Sequence, residues 1–184
     1  AFSARHAVSL WAREEAVADD MRVRRENRRF LPGFTLPDAL NISSDFEASV
    51  ASAELLIIAV PLSGLRPTLR RLRENGLLKP LIWVCKGLEA QTALLPHQVV
   101  FEELGAEVLC GVLSGPSFAE EVAQGLPLAI TLASQDGDLA RHMAVELHSP
   151  RLRIYANEDL TGAEIGVAVK NVMAIATGVC DGLG

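Results

Sequence analysis

"LIWVCKG", residues 81–87, is five apolar residues in a row, stopped by a cation and a glycine. Five residues is strand length rather than helix length, and an unbroken apolar run reads as a strand buried on both faces. Runs of the same kind recur along the chain: "AVSLWA" (7–12), "LLIIAV" (55–60), "VLCGVL" (108–113), "LAITLA" (128–133) and "LRIYA" (152–156). Between them the pattern predicts helices over 14–26, 64–75, 98–104, 117–124 and 136–147. Strands alternating with helices define an α/β domain, a doubly wound and mostly parallel sheet covered on both faces. Ligands of such sheets sit outside the carboxyl ends of the strands, so the residues just after each run are the ones to read.

Composition narrows the function classes. The 184 residues are 49% apolar and 22% charged, with no repeat or low-complexity tract, which is enough to build a sizeable core. A net charge of −6, with no dense Lys/Arg cluster among aromatics, argues against a nucleic-acid surface. The arginines between Arg22 and Arg29 are mixed with Glu26 and Asn27 and read as a solvated helix face. No apolar run is expected to span a membrane, and the first ten residues lack the order of a signal peptide, so a cytoplasmic protein is expected. Cys85, Cys110 and Cys180 are odd in number and scattered, which suits reduced thiols better than a disulfide or metal framework. Both ends read as cut: a helix end feeds at once into a strand at the start, and the chain stops just after a strong helix. A fragment is therefore expected.

Three strand ends carry candidate chemistry. "LWAR" places Arg13 where a fold that favours NAD usually offers an acid to the ribose hydroxyls; an arginine there tolerates or prefers a 2′-phosphate, or is simply solvent-facing. Lys86-Gly87 puts a cation at the crevice, followed by a residue free to take positive φ. "SGPSFAEEVAQG" (114–125) has the parts of a helix start. Gly115 and Pro116 make the turn, and Ser117 with Glu120 matches a capping box.

A fourth candidate lies near the end. In "NEDLTGAEIGVAVKNVMAIATGV" (157–179), Asp159 or Thr161 reads as a cap, Thr161 to Glu164 as a second capping box, and the helix beyond is apolar on nearly every face. Lys170 sits in that apolar setting, on or near a face expected to be buried, where an ammonium either loses its proton easily or holds an anion. Gly162, Gly166 and Gly178 would allow close backbone approach.

Taken in order, "KGLE" (86–89), "SGPSFAEEVAQGLP" (114–127), "IYANED" (154–159) and "KNVMAIATGVCDGLG" (170–184) resemble bacterial NAD(P)-dependent glycerol-3-phosphate dehydrogenase; "LWAR" (10–13) and "NRRFLPGFTLP" (27–37) fit the same family. The resemblance covers essentially the whole chain. It implies a Rossmann-type domain over 1–156 and, over 157–184, the first helix of an all-helical substrate domain. It implies reversible reduction of dihydroxyacetone phosphate to sn-glycerol 3-phosphate with NADPH or NADH, feeding phospholipid synthesis, in a protein that forms a homodimer when full length. Carried over residue by residue, Lys170 is the catalytic acid/base; Lys86 contacts substrate and cofactor; Gly115 and Ser117 bind substrate; Ala119 and Arg13 bind cofactor; and Asn171 supports the lysine. The family's first strand and its GxGxWG loop would precede Ala1, and most of its helical domain would follow Gly184, so the 184 residues alone are expected to show little or no activity. Leu62 stands where the family usually has Ser, and Phe30 where it often has Tyr. Two other readings share parts of the pattern. A 6-phosphogluconate or hydroxyacid dehydrogenase would share Lys170-Asn171 but not "SGPSFAEE". A non-enzymatic dinucleotide-binding sensor would keep Arg13 and the sheet without needing Lys170.

Overall fold

Central in the molecule is a five-stranded sheet made of β5 (Leu56–Ile58), β6 (Leu81–Trp83), β7 (Cys110–Ser114), β8 (Leu128–Ala133) and β9 (Leu152–Asn157), in that spatial order. The computed structural model describes residues 2–183, with the backbone alone at 171 and 172. β5, β6 and β7 run parallel, with Leu81 opposite Leu56 on one side and Cys110 on the other. β8 is antiparallel to β7, and β9 is parallel to β8. The reversal follows from the connection. Helix α5 (Ala119–Gln124) stays at the carboxyl end of β7, touching the small strand β3 (Leu31–Thr35), so the chain re-enters the sheet from that end.

Both faces of the sheet are covered, as continuous apolar strands demand. Leu81 and Trp83 point to one side, into a core shared with Leu65, Leu69 and Leu72 of α3 (Leu62–Glu74) and Val99 and Val100 of α4 (Pro96–Leu104). The spacing of 4 and 3 among the three leucines is what places them on one stripe of α3. Ile82 points to the other side, among Leu113, Ile130, Leu132 and Ile154 and against Ala140 and Ala144 of α6 (Gly137–Glu146). The α4 start is set by Pro96 in the first turn and by Gln98 Oε1, which accepts from the Leu95 N–H at 2.9 Å. Asp136 caps α6 by accepting from the Leu139 N–H at 2.9 Å.

The first forty-odd residues form a smaller unit that the strand pattern only partly anticipates. β1 (Ser9–Trp11) pairs in parallel with β4 (Asn41–Ser43), and α1 (Glu15–Arg24) lies over them, burying Ala18 and Met21 with Ile42. After α1 comes a short antiparallel ladder, β2 (Glu26–Asn27) with β3, and α2 (Phe46–Ala51) follows β4. Trp11 meets the Phe46 ring edge-on at 4.9 Å, which joins this unit to the main core.

The last element, α7 (Leu160–Leu183), leans its first two turns on the side of the sheet that holds α3 and α4 and then leaves it. Leu160 and Glu164 are buried, whereas Ile165, Val169, Met173, Ile175 and Val179 are exposed. Among the described residues α7 is also the one helix long and apolar enough to cross a membrane by length and composition, which corrects the expectation that no run reaches that length. Its docked first turns and the mid-helix Lys170 fit a helix whose start belongs to a protein core.

Candidate functional site

The carboxyl edge of the sheet gathers four of the residues singled out in the sequence. Lys86 leaves the end of β6 through Gly87, whose φ of +102° is a conformation that side chains other than glycine resist. The Lys86 Nζ donates to the carbonyl of Gly115, just beyond β7, at 3.2 Å. Gly115 has φ +150°, and a Cβ there would stand 3.0 Å from Ile130 Cγ2, so both the turn and the packing select glycine. From α7, Lys170 reaches over the ring of Phe118 with Nζ 5.8 Å from the centroid, a cation–π contact. Partial burial lowers the proton affinity of Lys86, and the charge of Lys170 lowers it further. Two ammonium groups on different elements therefore share one edge, with a small pocket behind them lined by Cys85, Lys86, Ser114, Glu164 and Val167.

Several expectations are corrected here. Lys170 is exposed rather than on a buried face, because among the described residues α7 is fully buried only at Leu160 and Glu164, and the Phe118 ring that Lys170 meets is itself exposed. Ser117 does not cap α5: that helix starts at Ala119, and Phe118, in the cap position, has no side-chain acceptor. The chain is extended at Phe118, and Ser117 before it and Ala119 after it are both exposed. At α7, Asp159 is the cap, accepting from the Gly162 N–H at 2.7 Å, and the Thr161–Glu164 capping box does not form. Gly166 and Gly178 have no close neighbour, so they permit no close helix contact in the described structure. The side chain of Asn171 lies outside the described residues. Cys85 and Cys110 are buried and their thiols are pushed up to about 12 by burial; Cys180 is exposed.

Arg13 is not brought to this edge. It follows β1 on the smaller sheet, 83% exposed in its side chain, with the Glu14 carboxylate 4.0 Å away. Glu14 is itself held by Arg29 at 2.6 Å, and Arg29 lies over the Phe30 ring. The acid beside Arg13 is thus already paired within the chain.

Sequence reasoning missed the most buried polar group of the site. Glu164 turns inward: Oε1 accepts from the Trp83 indole N–H at 2.9 Å and from the His97 backbone N–H at 3.0 Å, and Oε2 lies 2.5 Å from His97 Nδ1. Burial pushes this carboxyl above the usual range, opposed by the His97 and Trp83 contacts. The argument applied to Lys170, a charge in an apolar helix, would have found Glu164 too. Nothing in the sequence marks His97.

Around Lys86 the loop is pinned from behind. Glu89 accepts from Arg66 Nε at 2.8 Å and Nη2 at 2.7 Å and from Thr92 Oγ1 at 2.6 Å, and Arg66 also meets Glu102 and the buried Glu103 at 2.8 and 2.7 Å. The forked pairing holds the Glu89 carboxyl down at about 2.

The doubly wound sheet, with glycine-shaped turns and paired cations at its carboxyl edge, defines the class: a Rossmann-type α/β dinucleotide-binding domain followed by the start of a further helix. Residues 2–140 match the family model for the N-terminus of NAD-dependent glycerol-3-phosphate dehydrogenase, and residues 159–184 match the model for its C-terminus. The glycerol-3-phosphate dehydrogenases [NAD(P)+] of Dechloromonas aromatica and Aromatoleum aromaticum are 61% and 53% identical to this chain over all 184 residues. The chain spans 56% of the length of each of these relatives. A crystal structure of glycerol-3-phosphate dehydrogenase from Coxiella burnetii superimposes with a TM-score of 0.84 at 38% identity, over 96% of this chain and 54% of that one. UDP-glucose dehydrogenase from Pyrobaculum islandicum, at 19% identity and a TM-score of 0.59, shares the fold alone. The chain belongs to the NAD-dependent glycerol-3-phosphate dehydrogenase family.

Proposed function

We propose that this sequence forms the dinucleotide-binding and lysine-bearing part of an enzyme that reduces dihydroxyacetone phosphate to sn-glycerol 3-phosphate with NADPH or NADH, reversibly, in the cytoplasm, feeding phospholipid synthesis. In this reading residues 1–156 form the cofactor-binding unit, and 157–184 open a helical substrate unit through which the full-length protein forms a homodimer. The supporting observation is the convergence of Lys86 and Lys170 on the edge at Gly115 and Phe118.

The residues present fit a dinucleotide. Arg13 is an exposed cation at the carboxyl end of β1, where a 2′-phosphate or ribose would lie, and Gly115 and Ala119 keep backbone and small side chains facing the edge. The cofactor supplies the hydride when bound. Negative charge then develops on the substrate carbonyl oxygen, and Lys170 stabilises that oxygen and gives it a proton. Lys86, at the same edge, binds the anionic substrate beside the cofactor with its ammonium group. Gly115 and Ser117 line the substrate on the β7 side.

The test is NADPH consumption with dihydroxyacetone phosphate by the full-length protein and its Lys170→Met variant. The reading expects turnover in the parent and a loss on the order of 10²–10⁴ in kcat in the variant, with NADPH binding retained. A folded parent that binds NADPH and leaves dihydroxyacetone phosphate untouched would overturn it.

A further inference from the structure

One carboxylate touches the elements that carry both lysines. Glu164 lies six residues before Lys170 on α7 and is 5% exposed. It accepts from Trp83, the last residue of β6 and three before Lys86, and from His97, the second residue of α4. Next to this clamp, Ser114 at the end of β7 donates to the Ala163 carbonyl at 2.9 Å, one residue before Gly115. A carboxyl buried in this way is costly unless its lone pairs are filled, and apolar packing would hold two elements together at least as well. What directed hydrogen bonds add over apolar packing is orientation.

Orientation matters because of how α7 is held. Within the described residues full burial ends at Glu164; Val167 and Ala168 are half-buried and Lys170 meets the exposed Phe118 ring, so Lys170 rides on a lightly held lever whose firm fulcrum is the clamp. Six residues of helix rise about 9 Å, so a tilt of about 10° at Glu164 moves Lys170 by about 1.5 Å. A misplacement of about 1 Å in a reacting group can cost on the order of 10²-fold in rate.

We propose that Glu164 and His97 are a positioning pair, which sets α7 at the carboxyl edge of the sheet in the register that brings Lys170 beside Lys86. The kinetic part of this inference rests on the dehydrogenase reading; the geometric part does not. Lys86 supplies the independent readout, because the nearby charge of Lys170 contributes to its lowered proton affinity.

The experiment uses the full-length protein with His97→Leu and His97→Asn, the second keeping an N–H donor near the place of Nδ1. His97→Leu is expected to lower kcat for dihydroxyacetone phosphate about 10- to 100-fold per NADPH-binding site, with the NADPH Kd within about twofold of the parent, and His97→Asn to restore most of it. By NMR of ¹³C-dimethylated lysines, with Lys86 assigned through Lys86→Arg, the Lys86 titration is expected to move upward in His97→Leu and to return in His97→Asn. Should His97→Leu not fold, Glu164→Gln, which keeps the volume and the bonds to Trp83 and the His97 backbone, is expected to show a smaller upward move of the same signal. An unmoved Lys86 titration overturns the pair even if no variant or parent turns over substrate; that last result would overturn the dehydrogenase reading alone. A kcat per binding site within twofold of the parent in an active His97→Leu protein overturns the pair as well.

Discussion

Replacing Glu89 by Gln tests whether the Lys86 loop is held by charge. The Glu89 carboxylate takes a forked pair of hydrogen bonds from Arg66 and one from Thr92, with the Arg66 and Glu89 side chains only 17% and 16% exposed. Its carboxyl is held at about 2, against an ordinary value of 4.5. At 1.36 kcal/mol per pH unit that displacement corresponds to about 3 kcal/mol, and because the pair sits at the rim, where water screens it, about 1–2 kcal/mol should survive. The sign follows from which state holds the proton. Above the unfolded value the carboxyl is ionised in both states and the full contribution is present; as pH falls from about 4.5 toward about 2 only the unfolded state gains a proton, and the contribution is lost. Urea unfolding of parent and Glu89→Gln should therefore differ by about 1–2 kcal/mol near neutral pH and converge toward about pH 2. A difference that is the same at neutral and acid pH, or is absent at both, would refute the electrostatic account. Loosening the loop should also raise KM for dihydroxyacetone phosphate, since Lys86 lies three residues before Glu89.

Other outcomes follow from the same geometry. Gly115→Ala must fit a Cβ 3.0 Å from Ile130 at φ +150°, and urea unfolding should show a loss of about 1–3 kcal/mol. Ser114→Ala removes the bond to the Ala163 carbonyl and should cost about 1 kcal/mol on the same assay, with NADPH affinity unchanged. Cys85 and Cys110, buried and with thiols raised to about 12, should resist alkylation in the native protein and react on unfolding, as read by peptide mass mapping. Arg13→Ala should weaken NADPH binding about tenfold more than NADH binding by fluorescence titration, because Glu14 is already paired with Arg29.

The strands and helices of the main sheet were legible because each depends on nearest neighbours in sequence. "LIWVC" is continuous because both its faces are buried, and Leu65, Leu69 and Leu72 repeat at helical spacing because one stripe of α3 meets the sheet. The positions of Lys86 and Gly115 just beyond strands were readable for the same reason, while the roles given to them and to Ser117 came from the family resemblance. The short pairs β1–β4 and β2–β3 were only partly visible, since two- and three-residue ladders leave no periodicity to count.

Tertiary structure alone decided which polar groups were buried and with whom. The spacing from Thr161 to Glu164 suits a capping box, yet Glu164 found donors in Trp83 and His97, 81 and 67 residues away, and a carboxylate with three partners inside the protein has no reason to turn back to its own helix end. Lys170 moved the other way, from an expected buried face to an exposed one, because the burial of a helix face is set by what packs on it and not by its own apolar residues. Local sequence determined where the strands and helices of the main sheet lie and that Lys86 and Gly115 follow its strands. The pairing of Arg66 with Glu89, the meeting of Lys86 with Gly115 and the clamp at Glu164 are contacts between distant segments, and only the folded chain could choose them.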